Sequence, residues 1–141
     1  MSTPLVVDAC IWVAAADASD SYYRVSRAWL SQVGAARVPL VVAASTKVEV
    51  ACALARRMRH PERGRLLADS VLDPAVLTIV PFDNGLLAEA IAIGTELFLR
   101  AGDAIHAAVA ARTDGRLLSW DTELIHRAGA MTPEQWLDEN R

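Results

Sequence analysis

Four acidic residues, Asp8, Glu49, Asp103 and Asp121, stand alone in apolar or small-residue stretches of the chain. Asp8 is the clearest, in Pro-Leu-Val-Val-Asp-Ala-Cys-Ile-Trp-Val. A carboxylate in such surroundings loses solvation unless it is hydrogen-bonded, paired or bound to a cation. None of the four has Lys or Arg three or four residues downstream, where a helix would supply a partner. The fold is therefore expected to bring these acids to one another, and such a cluster needs a cation. Oxygen donors select the hard ions Mg²⁺ or Mn²⁺ over zinc. A carboxylate cluster with such an ion suits phosphodiester hydrolysis, because the ion lowers the pKa of bound water and stabilises a leaving oxygen. Each acid also has a local reading. Asp8, Asp103 and Asp121 can be helix N-caps, and Glu49 can complete a capping box with Thr46, each worth about 1 kcal/mol. The two readings are compatible, since a helix N-terminus keeps a carboxylate ionised.

The elements that must position these acids follow from the apolar pattern. Short strand-like runs alternate with helical stretches, which indicates an α/β fold with a mainly parallel sheet. Strands are expected at residues 5–7, 39–42, 76–80 and 116–119. Helices are expected at 10–16, 22–33, 46–59, 62–72, 84–94, 103–112 and 122–128, with a short final one opened by Thr132 and containing Trp136. In an open parallel sheet, strand C-termini and the following helix N-termini share the edge where ligands bind. That places Asp8, Glu49 and Asp121 on one edge. Asp103 has no clear strand before it and is not placed by this argument. Asp83 falls at the same edge and is expected to cap the helix after it.

Composition sets the frame. With 141 residues and 53% hydrophobic content the chain is expected to form one domain with a filled core, unlike a disordered sequence. The net charge of −3 argues against a broad polycationic nucleic-acid surface. The basic residues that do cluster, Arg56, Arg57, Arg59, His60, Arg63 and Arg65, begin two turns beyond Glu49. They are either a phosphate-backbone track, with Arg56, Arg57 and Arg59 as nucleic-acid contacts, or a solvated helical face. Tyr22, Tyr23 and Trp29 are candidates for base stacking or for the core. Cys10 and Cys52 lack metal-ligand spacing and read as small buried thiols. The N-terminal apolar run is too short to span a membrane, is broken by Asp8, and has no positive charge before it. A soluble, cytoplasmic protein without membrane association is expected.

Four sequence blocks together resemble the PIN-domain ribonucleases, in particular the VapC-type toxins of bacterial type II toxin–antitoxin systems. They are Val-Val-Asp8-Ala-Cys-Ile-Trp-Val-Ala, Ser45-Thr-Lys-Val-Glu49-Val-Ala-Cys-Ala-Leu, Gly102-Asp103-Ala-Ile-His-Ala-Ala-Val-Ala and Leu117-Leu-Ser-Trp-Asp121-Thr-Glu-Leu. Their order, spacing and shared acidic centre carry the likeness over nearly the whole chain. The resemblance implies a PIN-like three-layer α/β/α sandwich, a single domain over residues 1–141, with a mainly parallel central sheet. It also implies that Asp103 joins Asp8, Glu49 and Asp121. In that quartet Asp8, Asp103 and Asp121 are metal ligands, and Glu49 is a ligand or orients the attacking water. Ser119, where the family often has Thr, keeps the hydroxyl that fixes a carboxylate. The implied activity is a Mg²⁺- or Mn²⁺-dependent endoribonuclease toxin with an RNA substrate, a cognate antitoxin and a homodimeric state. His106, one turn after Asp103, is expected to be a partly buried histidine bonded to a neighbour, or else a general base. The alternative is a non-catalytic PIN-like RNA- or protein-binding module. A dehalogenase-like phosphatase fits less well, since Cys10 stands where its second Asp belongs.

Overall fold

The β-branched runs before Asp8 and Ser45 form the centre of the molecule. In the computed structural model, which describes residues 2–141, the strands are β1 (Leu5–Val7), β2 (Leu40–Ala43), β3 (Leu77–Val80) and β4 (Arg116–Leu118). They pair in parallel in the order β3-β2-β1-β4. Every residue of β1 and β2 is buried, as expected of parallel strands covered on both faces. Eight helices are described among these residues: α1 (Ala9–Ala16), α2 (Tyr23–Ala35), α3 (Thr46–Met58), α4 (Pro61–Val71), α5 (Asn84–Leu97), α6 (Ala101–Thr113), α7 (Thr122–Ala128) and α8 (Pro133–Glu139).

Strand alternation divides the core into two layers. Leu5, Val7, Leu40, Val42 and Leu118 meet Trp12 of α1, Trp29 and Val33 of α2, Val50 and Leu54 of α3, Ala68 of α4 and Trp136 of α8. Val6, Val41, Ala43, Val80 and Leu117 meet Leu86 and Ala90 of α5, four residues of α6 from Ala104 to Val109, and Leu124 of α7. The result is the α/β/α sandwich. Trp29 is fully buried and packs edge-on against Trp12, with ring centroids 6.2 Å apart. It serves the core, and its indole has no face free for nucleic acid.

The helix ends differ from the sequence expectation where glycine serves packing. Gly94 does not end α5. A Cβ there would lie 2.7 Å from the Ala104 Cβ, so the missing side chain lets α5 cross α6 closely, and α5 runs on to Leu97. Gly64 plays the same part between α3 and α4: a Cβ would meet the Ala55 backbone nitrogen and Cβ at 2.7 Å. Gly64→Ala is therefore expected to destabilise the fold by about 1–3 kcal/mol through overpacking. Gly34→Ala, in α2 with nothing within 4 Å, should raise stability by roughly 0.5–1 kcal/mol. Urea unfolding of both variants checks the expected opposite signs. Among the described residues, no helix is long and apolar enough to cross a membrane.

Candidate active site

β1 stops at Val7 because the chain leaves the sheet at Asp8, whose amide still donates to Leu118 O of β4 at 3.0 Å. Asp8 occupies the N-cap position of α1, but its side chain caps nothing. It points to the sheet edge instead. There Ser119 Oγ donates to Oδ2 at 2.6 Å, Cys10 Sγ donates to the same oxygen at 3.2 Å, and His106 Nε2 stands 3.1 Å from Oδ1. Ser119 is fully buried and also accepts from the Asp121 amide at 2.9 Å. One hydroxyl thus locks the end of β1 to the end of β4, between which the sheet reverses its strand order.

Glu49 lies in the first turn of α3, after β2. The capping box with Thr46 does not form. Ser45 takes the N-cap position without a side-chain bond, and the Thr46 hydroxyl is buried without a hydrogen-bond partner. The Glu49 carboxylate is left free for the pocket. Asp103 lies in the first turn of α6, whose N-cap position is Arg100, so Asp103 is no N-cap either. Asp121 does cap, accepting from the Glu123 amide at 2.9 Å while keeping Oδ2 for Arg100. Asp83 caps α5 through the Leu86 amide as expected. It pairs with Arg112 at the far end of α6, about 13 Å along the helix from Asp103, and so stands apart from the acids.

All four acids line one pocket of about 420 Å³, together with Cys10, Arg57, Arg100 and Gly102. The start of α6 approaches α3 so closely that a Cβ on Gly102 would sit 3.4 Å from Glu49 Oε2. His106, fully buried, holds the floor: Nε2 is shared between Asp8 at 3.1 Å and Glu49 Oε1 at 3.4 Å, at ion-pair distance without the alignment of a hydrogen bond. Burial opposes charge on the imidazole, yet Asp8 and Glu49 together push its pKa up to about 10. Burial likewise opposes charge on Asp8, but His106, Ser119 and Cys10 bring its pKa down to about 2. Asp103 is shifted the other way. Burial and the neighbouring charges of Asp8 and Asp121 raise its pKa, and Arg100 offsets this only in part. Burial and the Asp8 charge push the Cys10 thiol up, so it remains a protonated donor.

Burial aside, the upward shifts of Asp103 and His106 reflect the carboxylates around them. Asp8, Glu49 and His106 each place one potential ligand atom within 4.8 Å of the others. The carboxylate oxygens of the pocket fit a hard divalent cation. In the metal-free site Asp8 and Glu49 favour a protonated His106, which then serves as their counter-charge. Two residues of the site escaped the sequence reading, His106 in this role and Arg100. The visible signal for Arg100 was its place three residues upstream of Asp103, whereas partners were sought downstream. The basic cluster divides. Arg57 lines the pocket and pairs with Asp17 at 3.0 Å and Asp20 at 2.7 Å. Arg56 and Arg59 line a separate surface hollow with His60 and Pro61. Ser119→Ala leaves buried Asp8 and the Asp121 amide without this partner and is expected to cost about 1–3 kcal/mol. Urea unfolding measures it, and an unchanged midpoint would remove Ser119 from the account.

The sequence matches the PIN domain family over residues 5–130, a span that contains all four acids. Comparison with curated proteins gives no match. Among solved structures, PAE2754 from Pyrobaculum aerophilum is 24% identical with a TM-score of 0.71, covering 98% of this chain and 88% of that one. VapC20 from Mycobacterium tuberculosis, described as a sarcin–ricin loop cleaving toxin, is 19% identical with a TM-score of 0.74, covering 92% and 97%. FitAcB from Neisseria gonorrhoeae is 18% identical with a TM-score of 0.69, covering 93% and 98%. At these identities what is shared is the fold. The family match and the parallel α/β/α sandwich agree, and the chain belongs to the PIN domain family.

Proposed function

We propose that this chain is a Mg²⁺- or Mn²⁺-dependent endoribonuclease, acting as the VapC-type toxin of a toxin–antitoxin pair. The observation that carries this reading is the gathering of four carboxylates around one pocket, with Ser119 bonded to the Asp8 carboxylate and to the Asp121 backbone amide. Asp8, Asp103 and Asp121 are the residues to hold the ion, with Glu49 as a further ligand or the group that orients water. When bound, such an ion supplies a water of lowered pKa and stabilises charge on the leaving oxygen. The chain's own residues prepare this. Ser119 and His106 keep Asp8 ionised and fixed in direction. Arg57 lines the pocket wall, held there by Asp17 and Asp20. Arg56 and Arg59, in a separate hollow, are the proposed RNA contacts farther from the reacting centre.

RNA as the substrate and an antitoxin as the partner draw support from the relatives. VapC20 is described as cleaving the sarcin–ricin loop. Similar structures from Rickettsia felis and Klebsiella pneumoniae are of VapBC2 and of a toxin–antitoxin complex. A homodimer suits the exposed apolar side chains of Leu87, Ile91 and Phe98. A non-catalytic PIN-like binder would have no need of all four acids, and the chain keeps them. The test is incubation of purified protein with total RNA in Mg²⁺, Mn²⁺ or EDTA, followed by mapping of the products. Discrete cuts in either ion and none in EDTA are expected. Equal cleavage in EDTA, or none with either ion, would contradict the reading.

A further inference from the structure

The acids meet two cations of the chain itself, and these differ in freedom. His106 is fully buried on α6 and cannot move away from Asp8 and Glu49. Arg100 is different: its side chain is 66% exposed and reaches across the pocket mouth from the start of α6 to the start of α7. Its Nε lies 3.2 Å from Asp103 Oδ2, its Nη2 bonds Asp121 Oδ2, and Nε also lies 3.4 Å from Glu123 Oε2. Glu123 does not line the pocket. It stands just outside, where Arg127 Nη2 also reaches it at 3.4 Å.

Asp103 and Asp121 are the oxygens a divalent ion also needs, so the guanidinium and the ion compete for them. The Arg100 side chain is exposed while Asp103 and Asp121 are largely covered, so water can solvate the guanidinium when the pairs part and the incoming ion takes its place on the acids. Glu123, which Nε already meets at 3.4 Å, keeps the guanidinium at the mouth once the other two are released. A planar, permanently charged fork held there faces any phosphate that enters.

Resting on the metal-dependent reading above, we propose that Arg100 is a displaceable counter-cation. It bridges Asp103, Asp121 and Glu123, yields the first two to the incoming divalent ion, and stays on Glu123, where it holds an RNA phosphate at the pocket mouth. Arg100 is thus a positioning residue that trades three carboxylates for one.

Calorimetric titration of Mn²⁺ into the purified protein, without RNA, tests this. Arg100→Gln is expected to tighten Mn²⁺ binding by roughly three- to tenfold, the scale of one or two exposed ion pairs. Arg100→Lys should fall between wild type and the Gln variant. Glu123→Gln should weaken Mn²⁺ binding in the wild type, because the released Arg100 loses the one carboxylate it retains, and have a smaller effect in the Arg100→Gln background. At saturating Mn²⁺, Arg100→Gln should raise KM for RNA more than it lowers kcat. Unchanged or weaker Mn²⁺ binding by Arg100→Gln would overturn the inference, as would an equal Glu123→Gln effect in both backgrounds. No Mn²⁺ binding by the wild type would instead sink the metal-dependent reading, and this inference with it.

Discussion

Asp8→Asn and Asp103→Asn are each expected to lower Mn²⁺-dependent RNA cleavage roughly a thousandfold, about 4 kcal/mol of transition-state stabilisation. Their effects on folding should differ, and that difference makes the pair informative. Asp8 is an ionised carboxylate with its pKa at about 2, bonded to Ser119 and Cys10 and paired with His106. The Asn variant keeps a similar shape but leaves His106 without its nearer counter-charge, so metal-free stability should drop. Asp103 is the opposite case. Burial and repulsion from Asp8 and Asp121 work against its charge, so Asn there should leave metal-free stability unchanged or raise it. Loss of activity with a gain of stability is the mark of a residue kept for function rather than fold. Initial rates on one RNA substrate and urea midpoints in EDTA measure both. Cleavage within about tenfold of wild type in either variant would contradict its assignment.

His106→Leu is expected to destabilise the metal-free protein by about 3–5 kcal/mol, because Asp8 stays buried with its main positive neighbour removed. Mn²⁺ should restore part of the loss, since an ion can supply the missing charge. The pH dependence has a definite sign. The folded pKa of His106, about 10, lies above its ordinary value of 6.5. Its contribution is therefore complete below about pH 6.5 and is lost as pH rises toward 10. Asp8, depressed to about 2 from 3.8, contributes fully above about pH 4 and loses its contribution as pH falls toward 2. In EDTA, the wild-type urea midpoint should fall between pH 7 and 10 while that of His106→Leu stays nearly flat. Parallel curves for the two proteins would show that His106 carries no charge in the fold.

How much of this was legible in the chain depends on the range of each interaction. The strands before Asp8 and Asp121 were readable because short apolar runs, Leu5–Val7 and Leu117-Leu118, are bounded by proline or polar residues and suit a parallel sheet covered on both faces. Asp8, Glu49 and Asp121 were placed by the rule that strand ends share an edge. Asp103 was not, because α6 follows another helix. Its first turn reaches the site through its packing on α5, which Gly94 permits by leaving room for Ala104; only the resemblance to PIN-domain ribonucleases anticipated that placement. Glu49 was half misread, since Ser45, one residue before Thr46, takes the cap position and dissolves the capping box. The arginine cluster looked continuous in sequence, but adjacent helical residues diverge by roughly 100°, and Arg59 turns the chain with a φ of 50°. Arg57 consequently faces Asp17 and Asp20, while Arg56 and Arg59 face another hollow. The charge on His106 comes from contacts with Asp8 and Glu49, which belong to other elements, and no local pattern encodes it.

The most direct test of the central claim is an anomalous difference map from crystals of this protein soaked in Mn²⁺. The account predicts a peak in the acid pocket, with carboxylate oxygens of Asp8 and of Asp103 or Asp121 about 2.0–2.2 Å away, and Arg100 withdrawn from Asp103. A fully occupied Mn²⁺ site elsewhere, with Arg100 still seated on Asp103 and Asp121 and no peak among the four acids, would contradict it.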